Sequence, residues 1–281
     1  MNILDEILRT KNSLPKKQLQ LCNYILEHYQ DIQITTVKTL AHNAGVGTTT
    51  VLRLVEQLGF DSYSDFKMQF YTLQNEYISK WDSVKSSFAE GSNAESNTSV
   101  EKIWNESITN LNESLNPQLI INFNQAIDTL MNAKRIFIFG ARPYKAAAVY
   151  LELLLSEFKT DIFQLSNDSD SMFDRILQST DTDVVLLFGF EPYTKRSISL
   201  ARLAHENSLK VVLISDVLSN PISPYADVSV QLNVSSKYFS IIPIFALMES
   251  IALEIGKKTS NSSIDAIKKL VPKLREYDVI L

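Results

Sequence analysis

The chain has 281 residues, 45% apolar and 21% charged, with a formal net charge of −5. That composition fits a soluble globular protein of one large or two ordinary domains, and with no run of about 18 apolar residues no membrane span is expected. A single cysteine, Cys22, excludes an internal disulfide and a cysteine-built zinc site, and the acidic balance excludes a wholly basic nucleic-acid coat but not a local patch. The N-terminal stretch MNILDEILRTKNSLPKK lacks a basic start, an apolar core and a small-residue cleavage site, so a cytoplasmic protein is expected.

In chain order, residues 1–75 alternate short amphipathic segments with tight turns. KKQLQLCNYILEHY places Leu19, Cys22, Ile25, Leu26 and Tyr29 at helical spacing, with Pro15 in a first turn that accepts it. Cys22 on that apolar face reads as a small core residue, not a reactive thiol. TTVKTLAHNAG predicts a second helix, capped by Thr35 or Thr36, facing Val37, Leu40 and Ala41 inward and ended by Gly45. A third helix follows at once, capped by Gly47 or Thr48. It buries Val51, Leu54, Val55 and Leu58 and stops at Gly59. SYSDFKMQFYTL predicts a fourth, starting at Ser62 or Ser64. Residues 76–116 are thin in apolar side chains, with AEGSNAESNTS at their centre, and read as a helical or flexible linker.

From 117 to 281, apolar strand runs alternate with helical patterns. Strands are expected at 135–140, 160–165, 182–190, 209–215 and 227–233. Helices are expected at 143–158, 169–179, 193–206 and 239–257, and a terminal helix is interrupted late by Pro272. Continuous apolar strands alternating with helices imply a five-stranded parallel sheet covered on both faces, a three-layer α/β sandwich. The fold class is therefore multidomain, all-α at the N-terminus and α/β at the C-terminus.

Helix, tight glycine turn, helix is the arrangement of a helix-turn-helix, whose second helix enters the major groove of DNA. Threonines on its leading turn are poor helix formers but suit a groove, since the hydroxyl bonds a phosphate or base and the methyl touches thymine. Thr48, Thr49 and Leu52 project away from the buried face, and Arg53 suits a phosphate or a guanine. Lys38 and Thr50 complete the candidate DNA-binding set, although Thr50 also suits inward packing. Residues 1–75 hold roughly equal numbers of acids and bases, so useful affinity needs two copies on a palindromic operator in double-stranded DNA.

LAHNAGVGTTTVLRLVEQLGFDSYSDFK resembles the N-terminal domain of RpiR-type (MurR-like) bacterial transcription regulators, through Leu40, Ala41, Gly45, Val46, Thr50, Val51, Arg53, the run Leu58-Gly59-Phe60, Tyr63, Phe66 and Lys67. The usual serine is Gly47, and the usual aromatic after the arginine is Leu54. The second half resembles a SIS (sugar isomerase) domain, which implies a phosphosugar effector and a homodimer or homotetramer. That resemblance implies ligand groups in two loops. The first, Gly140-Ala141-Arg142-Pro143-Tyr144, keeps only the leading glycine of a Gly-x-Gly-x-Ser pattern. The second, Gly189-Phe190-Glu191-Pro192-Tyr193-Thr194, has lost its serines and keeps Thr194.

Candidate ligand residues are Gly140, Arg142, Tyr144, Gly189, Glu191, Thr194, Lys195 and, on an otherwise apolar helix, Glu249. Two outcomes stay open: an altered ligand held by Arg142 and Lys195, or a ligand-free dimerisation scaffold. Tyr144 and Tyr193 also suit packing between helices. A phosphosugar isomerase is the remaining alternative. It needs a poised acid or base, and the last 165 or so residues hold one histidine, His205, near a helix end. No enzyme, cofactor, metal or membrane partner is expected.

Overall fold

The computed structural model describes residues 3–32, 35–76, 80–89, 98–167, 171–235 and 237–281. The centre of the expected linker, residues 90–97, and the expected helix start at 169 lie outside them.

The N-terminal unit comprises α1 (Ile3–Thr10), α2 (Lys16–Glu27), α3 (Tyr29–Ile32), α4 (Val37–Asn43), α5 (Thr48–Gln57) and α6 (Tyr63–Glu76). Helix α1, for which no expectation was drawn, is amphipathic, and its Ile3, Leu4 and Ile7 are buried with α2. On α2 the inward face is Leu21, Cys22, Ile25 and Leu26, while Leu19 is only half-buried, a correction to the expected stripe. Burial pushes the Cys22 thiol up to about 12, as suits a core residue.

Thr36 caps α4, its hydroxyl accepting from Thr39 N–H. Gly47, not Thr48, is the N-cap of α5, and no side chain caps that helix. Gly45 and Gly59, with φ of 64° and 83°, let the chain turn sharply at either end of the α4–α5 pair. Ser62 caps α6 by accepting from Asp65 N–H.

Helices α7 (Lys80–Ala89) and α8 (Ser99–Ser114) lie within the expected linker. Thr98 and Glu101 form a reciprocal capping box that starts α8 despite its polar sequence. Helix α8 packs beside α13 (Ile242–Lys258), and Asn233 N–H donates to Ser114 Oγ at 2.8 Å, so this helix is tied to the sheet unit.

Helix α9 (Pro117–Met131) leads into β1 (Ile136–Gly140), α10 (Lys145–Ser156), β2 (Ile162–Gln164), α11 (Ser171–Leu177), β3 (Val184–Gly189), α12 (Lys195–Glu206), β4 (Lys210–Ser215) and β5 (Val228–Gln231). All strands pair in parallel in the order β2-β1-β3-β4-β5. One face packs on α9, α10 and α13 through residues such as Ile127, Ala148 and Met248. The other packs on α11 and α12 through Met172, Leu200 and Ala204. This is the expected five-stranded three-layer sandwich. At the sheet's lower edge Arg135 grips the fully buried Asp183 with Nε at 3.0 Å and Nη2 at 2.6 Å, a bidentate pair. The last helix, α14 (Ser260–Glu276), runs through Pro272 without interruption, against expectation. Pro272 lies in its exposed final turns, where the one backbone bond it removes leaves a solvent-facing carbonyl.

Glycine at 140 is required by close approach, since a Cβ there would lie 2.2 Å from the Tyr144 carbonyl oxygen. Gly140→Ala is expected to destabilise the protein by at least about 2 kcal/mol. Gly47→Ala, with φ of −82° and open space around it, should cost less than about 1 kcal/mol. Urea unfolding of the two variants checks the contrast.

Candidate DNA-reading face and strand-end cleft

Helix α5 is held from behind. Gln18 Nε2 bonds Gln57 Oε1, and Gln20 Nε2 donates to the Ala44 carbonyl at 2.9 Å, fixing α2 against both the end of α5 and the glycine turn. With Val51, Leu54 and Val55 buried, the opposite face bearing Thr48, Thr49, Leu52 and Arg53 is exposed, Leu52 to 50%. Lys38 is also exposed on α4. Thr50 is half-buried and borders a groove with Pro15, Lys17 and Arg53, between the exposed face and the core. Lys17, unremarked in the sequence, donates to the Gly45 carbonyl at 3.3 Å and adds a cation at the turn.

The second site follows from topology. β1 and β3 are neighbours, but α10 after β1 and α12 after β3 lie on opposite faces of the sheet. Their loops diverge and leave a crevice at the carboxyl ends of the strands. The crevice has a volume of about 530 Å³. It gathers Arg142 from the first loop with Lys145 at the start of α10, and Thr194 from the second loop with Lys195 and Arg196 at the start of α12. Ser166, just past β2, accepts from Gly140 N–H at 2.9 Å. Thr194 caps α12, so the N-terminus of that helix opens here, where backbone N–H groups favour an anion. Arg142 is held at φ 55°, a left-handed conformation that costs a non-glycine residue on the order of 1 kcal/mol.

Four of the eight candidate ligand residues line this crevice, Gly140, Arg142, Thr194 and Lys195, while Glu191 lines a separate cleft with Pro192 and Tyr193. The others are corrected. Tyr144 is buried, stacks on Phe190 at 4.9 Å and donates to the Glu191 carbonyl at 3.1 Å, so it packs the loops together. Gly189 is a packing residue, because a Cβ would lie 2.6 Å from Leu213 Cδ1. Glu249 is exposed on α13 and accepts from Tyr150 OH at 3.0 Å, outside the crevice. Lys145, Arg196, Ser166 and Ser199 also line the crevice and were not singled out from sequence. Position after a parallel strand is the signal that would have found Ser166.

Glu191 faces a different neighbour from the one its motif suggests. Its Oε1 accepts from the backbone N–H of Lys80 at 3.1 Å, and the peptide bond that follows it, to Pro192, is cis. Beyond it, Asp216 after β4 is half-buried and receives Tyr193 OH at 3.5 Å. Burial pushes the Asp216 carboxyl up to about 6, opposed by backbone N–H donors and by the Lys80 charge. Burial likewise lowers the Lys80 ammonium, opposed by Asp216, Glu191 and Glu106. A separate cleft of about 550 Å³ divides the helical unit from the sheet unit, with His28 and Tyr29 facing Tyr193 and Tyr225.

Comparison with known proteins bears on both sites. Residues 1–78 match the helix-turn-helix domain of the rpiR family, and residues 129–254 match the SIS domain. A relative described as an uncharacterized HTH-type transcriptional regulator from Clostridium perfringens is 22% identical over 94% of this chain and 96% of its own. The HTH-type transcriptional regulator HexR of Escherichia coli is 26% identical over 83% and 78%. Among solved structures, the Vibrio vulnificus NanR protein complexed with ManNAc-6P superposes with a TM-score of 0.54 at 17% identity, covering 96% of this chain and 98% of that one.

An Asp216 carboxyl whose pKa is raised on folding favours the protonated native state. The stability this adds is present below the unfolded pKa, near 3.9, and is lost as pH rises through about 6. Asp216→Asn removes that dependence. Its melting temperature relative to the parent is expected to move in the variant's favour between pH 4 and pH 6, as thermal melts across that range will show.

Proposed function

The chain belongs to the rpiR family of helix-turn-helix transcriptional regulators with a SIS domain, and from that premise we propose that it reads operator DNA through α5 and senses a phosphosugar at the strand-end crevice. Thr48 and Thr49 would meet base edges, Leu52 a thymine methyl, and Arg53 a phosphate or guanine, with Lys38 and Thr50 at the margins. Near-equal acids and bases in the helical unit make a single copy a weak binder. The functional unit is therefore a dimer or tetramer on a palindromic site in the cytoplasm. Exposed Ile120, Ile121, Leu153 and Leu253 on the sheet unit's helices supply apolar surface for self-association.

The observation that carries the effector reading is the convergence of Arg142, Lys145, Lys195 and Arg196 on one helix N-terminus at the strand ends. Cations and backbone N–H groups there take the place of the missing serine hydroxyls around a phosphate. The NanR structure holds a sugar phosphate, which supports the same class of ligand for this chain. Catalysis is not part of the proposal: no histidine lines the crevice, and the relatives are named as regulators. An effector regulates only by binding two arrangements of the DNA-reading helices with different affinity.

Footprinting on DNA flanking the gene is expected to give a palindromic protected site. Arg53→Ala should weaken binding to all sequences by roughly tenfold, whereas Thr49→Ala should alter the preferred sequence more than the overall affinity. A thermal-shift panel of sugar phosphates is expected to give at least one stabilising ligand, whose shift Arg142→Ala abolishes. An unresponsive panel would make the SIS domain a scaffold only.

A further inference from the structure

Helix α5 carries two rows of side chains beside its buried face. Thr48, Thr49 and Leu52 make one. Thr50, Arg53 and Gln57, at i, i+3 and i+7, make the other. This second row faces α2 across a groove of about 500 Å³, whose far wall is Pro15 and Lys17. Gln18, at 7% exposure, bonds Gln57 and joins the two helices, so the walls are fixed relative to each other.

Lys17 stands in the first turn of α2, where the helix dipole disfavours a cation and no acid is present. Its Nζ donates to Gln20 Oε1 at 3.2 Å and to the Gly45 carbonyl at 3.3 Å, both neutral acceptors. An ammonium has three N–H donors. Lys17 is therefore steered to the glycine turn that precedes α5 with its charge and one donor unspent. Arg53 is exposed on the α5 wall. Among the described residues, neither cation forms an ion pair. Glu56, on the turn after Arg53, is the acid in the lining.

We propose that Lys17 and Arg53 grip the sugar-phosphate backbone that borders the major groove read by α5, and that Arg53 takes a phosphate and not a guanine. The proposal rests on the DNA-reading assignment above and narrows it. Arg53 is set one row round from Thr49 and Leu52, toward α2, so with the first row on the base edges it meets the groove's phosphate wall. Lys17 brings a second cation to that wall from a different helix. Two cations on separate, mutually bonded elements fix where the backbone runs, and phosphate contacts of this kind set register while base contacts specify sequence. Glu56 repels a phosphate, so the backbone crosses the groove toward its Lys17 side. The same carboxylate weakens binding to any duplex and adds to the need for two copies.

The test titrates the full chain against its footprinted operator and an unrelated duplex of equal length, across a salt series, by fluorescence anisotropy. Lys17→Gln and Arg53→Gln are each expected to lower the slope of log affinity against log salt by about 0.9 per bound copy. Each should weaken both duplexes by the same factor. Arg53→Lys, which keeps the charge but not the fork that matches guanine, should leave slope and base preference near the parent's. Glu56→Gln should tighten both duplexes about two- to fivefold. It leaves the glycine turn untouched and keeps the test decisive if Lys17→Gln does not fold. A parental slope in Lys17→Gln, preference lost at one G·C pair in Arg53→Lys, or no gain in Glu56→Gln overturns this inference and leaves DNA reading by α5 standing. Failure of the parent to hold either duplex at low salt overturns both.

Discussion

The parallel pairing of β1 with β3 is the constraint from which the strand-end crevice follows. Right-handed crossovers send α10 to one face of the sheet and α12 to the other. Two loops leaving neighbouring strands for opposite faces cannot close over the strand ends, so a crevice is unavoidable there. What fills it is then a matter of side chains. Gly140 lets the first loop fold tightly against Tyr144, Arg142 is left in a strained left-handed conformation at the mouth, and Thr194 opens the N-terminus of α12 toward it.

The helical unit solves a different problem, presenting one face of a short helix while anchoring the other. Helix α5 is ten residues long and has no side-chain cap, and its three leading threonines lower its intrinsic stability. Packing makes up the difference. Val51, Leu54 and Val55 join a core that includes Phe66 and Phe70, and two glutamines of α2 bond its C-terminal end and the preceding turn. The outer face is thereby freed from any stabilising duty, and residues poorly suited to helices are tolerated there.

Between the units, the chain carries more structure than its composition suggests. Helix α8 is docked to α13, and α7 is pinned at Lys80 and Trp81 to loops that also border the crevice. The two helices described there, α7 and α8, are thus both held by contacts to the sheet unit.

Much was legible in the sequence. Apolar runs of β-branched residues located all five strands within two residues or so, because a strand buried on both faces has few alternatives. The glycines at 45 and 59 and the caps at Thr36 and Ser62 placed α4, α5 and α6, since backbone geometry and orphan N–H groups demand particular residues at fixed offsets. The exposed Thr48, Thr49, Leu52 and Arg53 face follows from helical periodicity alone. Tertiary structure decided the rest. Motif position made Tyr144, Gly189 and Glu249 candidates for a ligand, but which way a side chain points depends on neighbours distant in sequence, and these three point to packing or to solvent. Lys80 lies more than a hundred residues from Glu191, Asp216 and Ser235. No local pattern encodes that meeting, because contacts across a fold are fixed only when the sheet has brought the strand ends together.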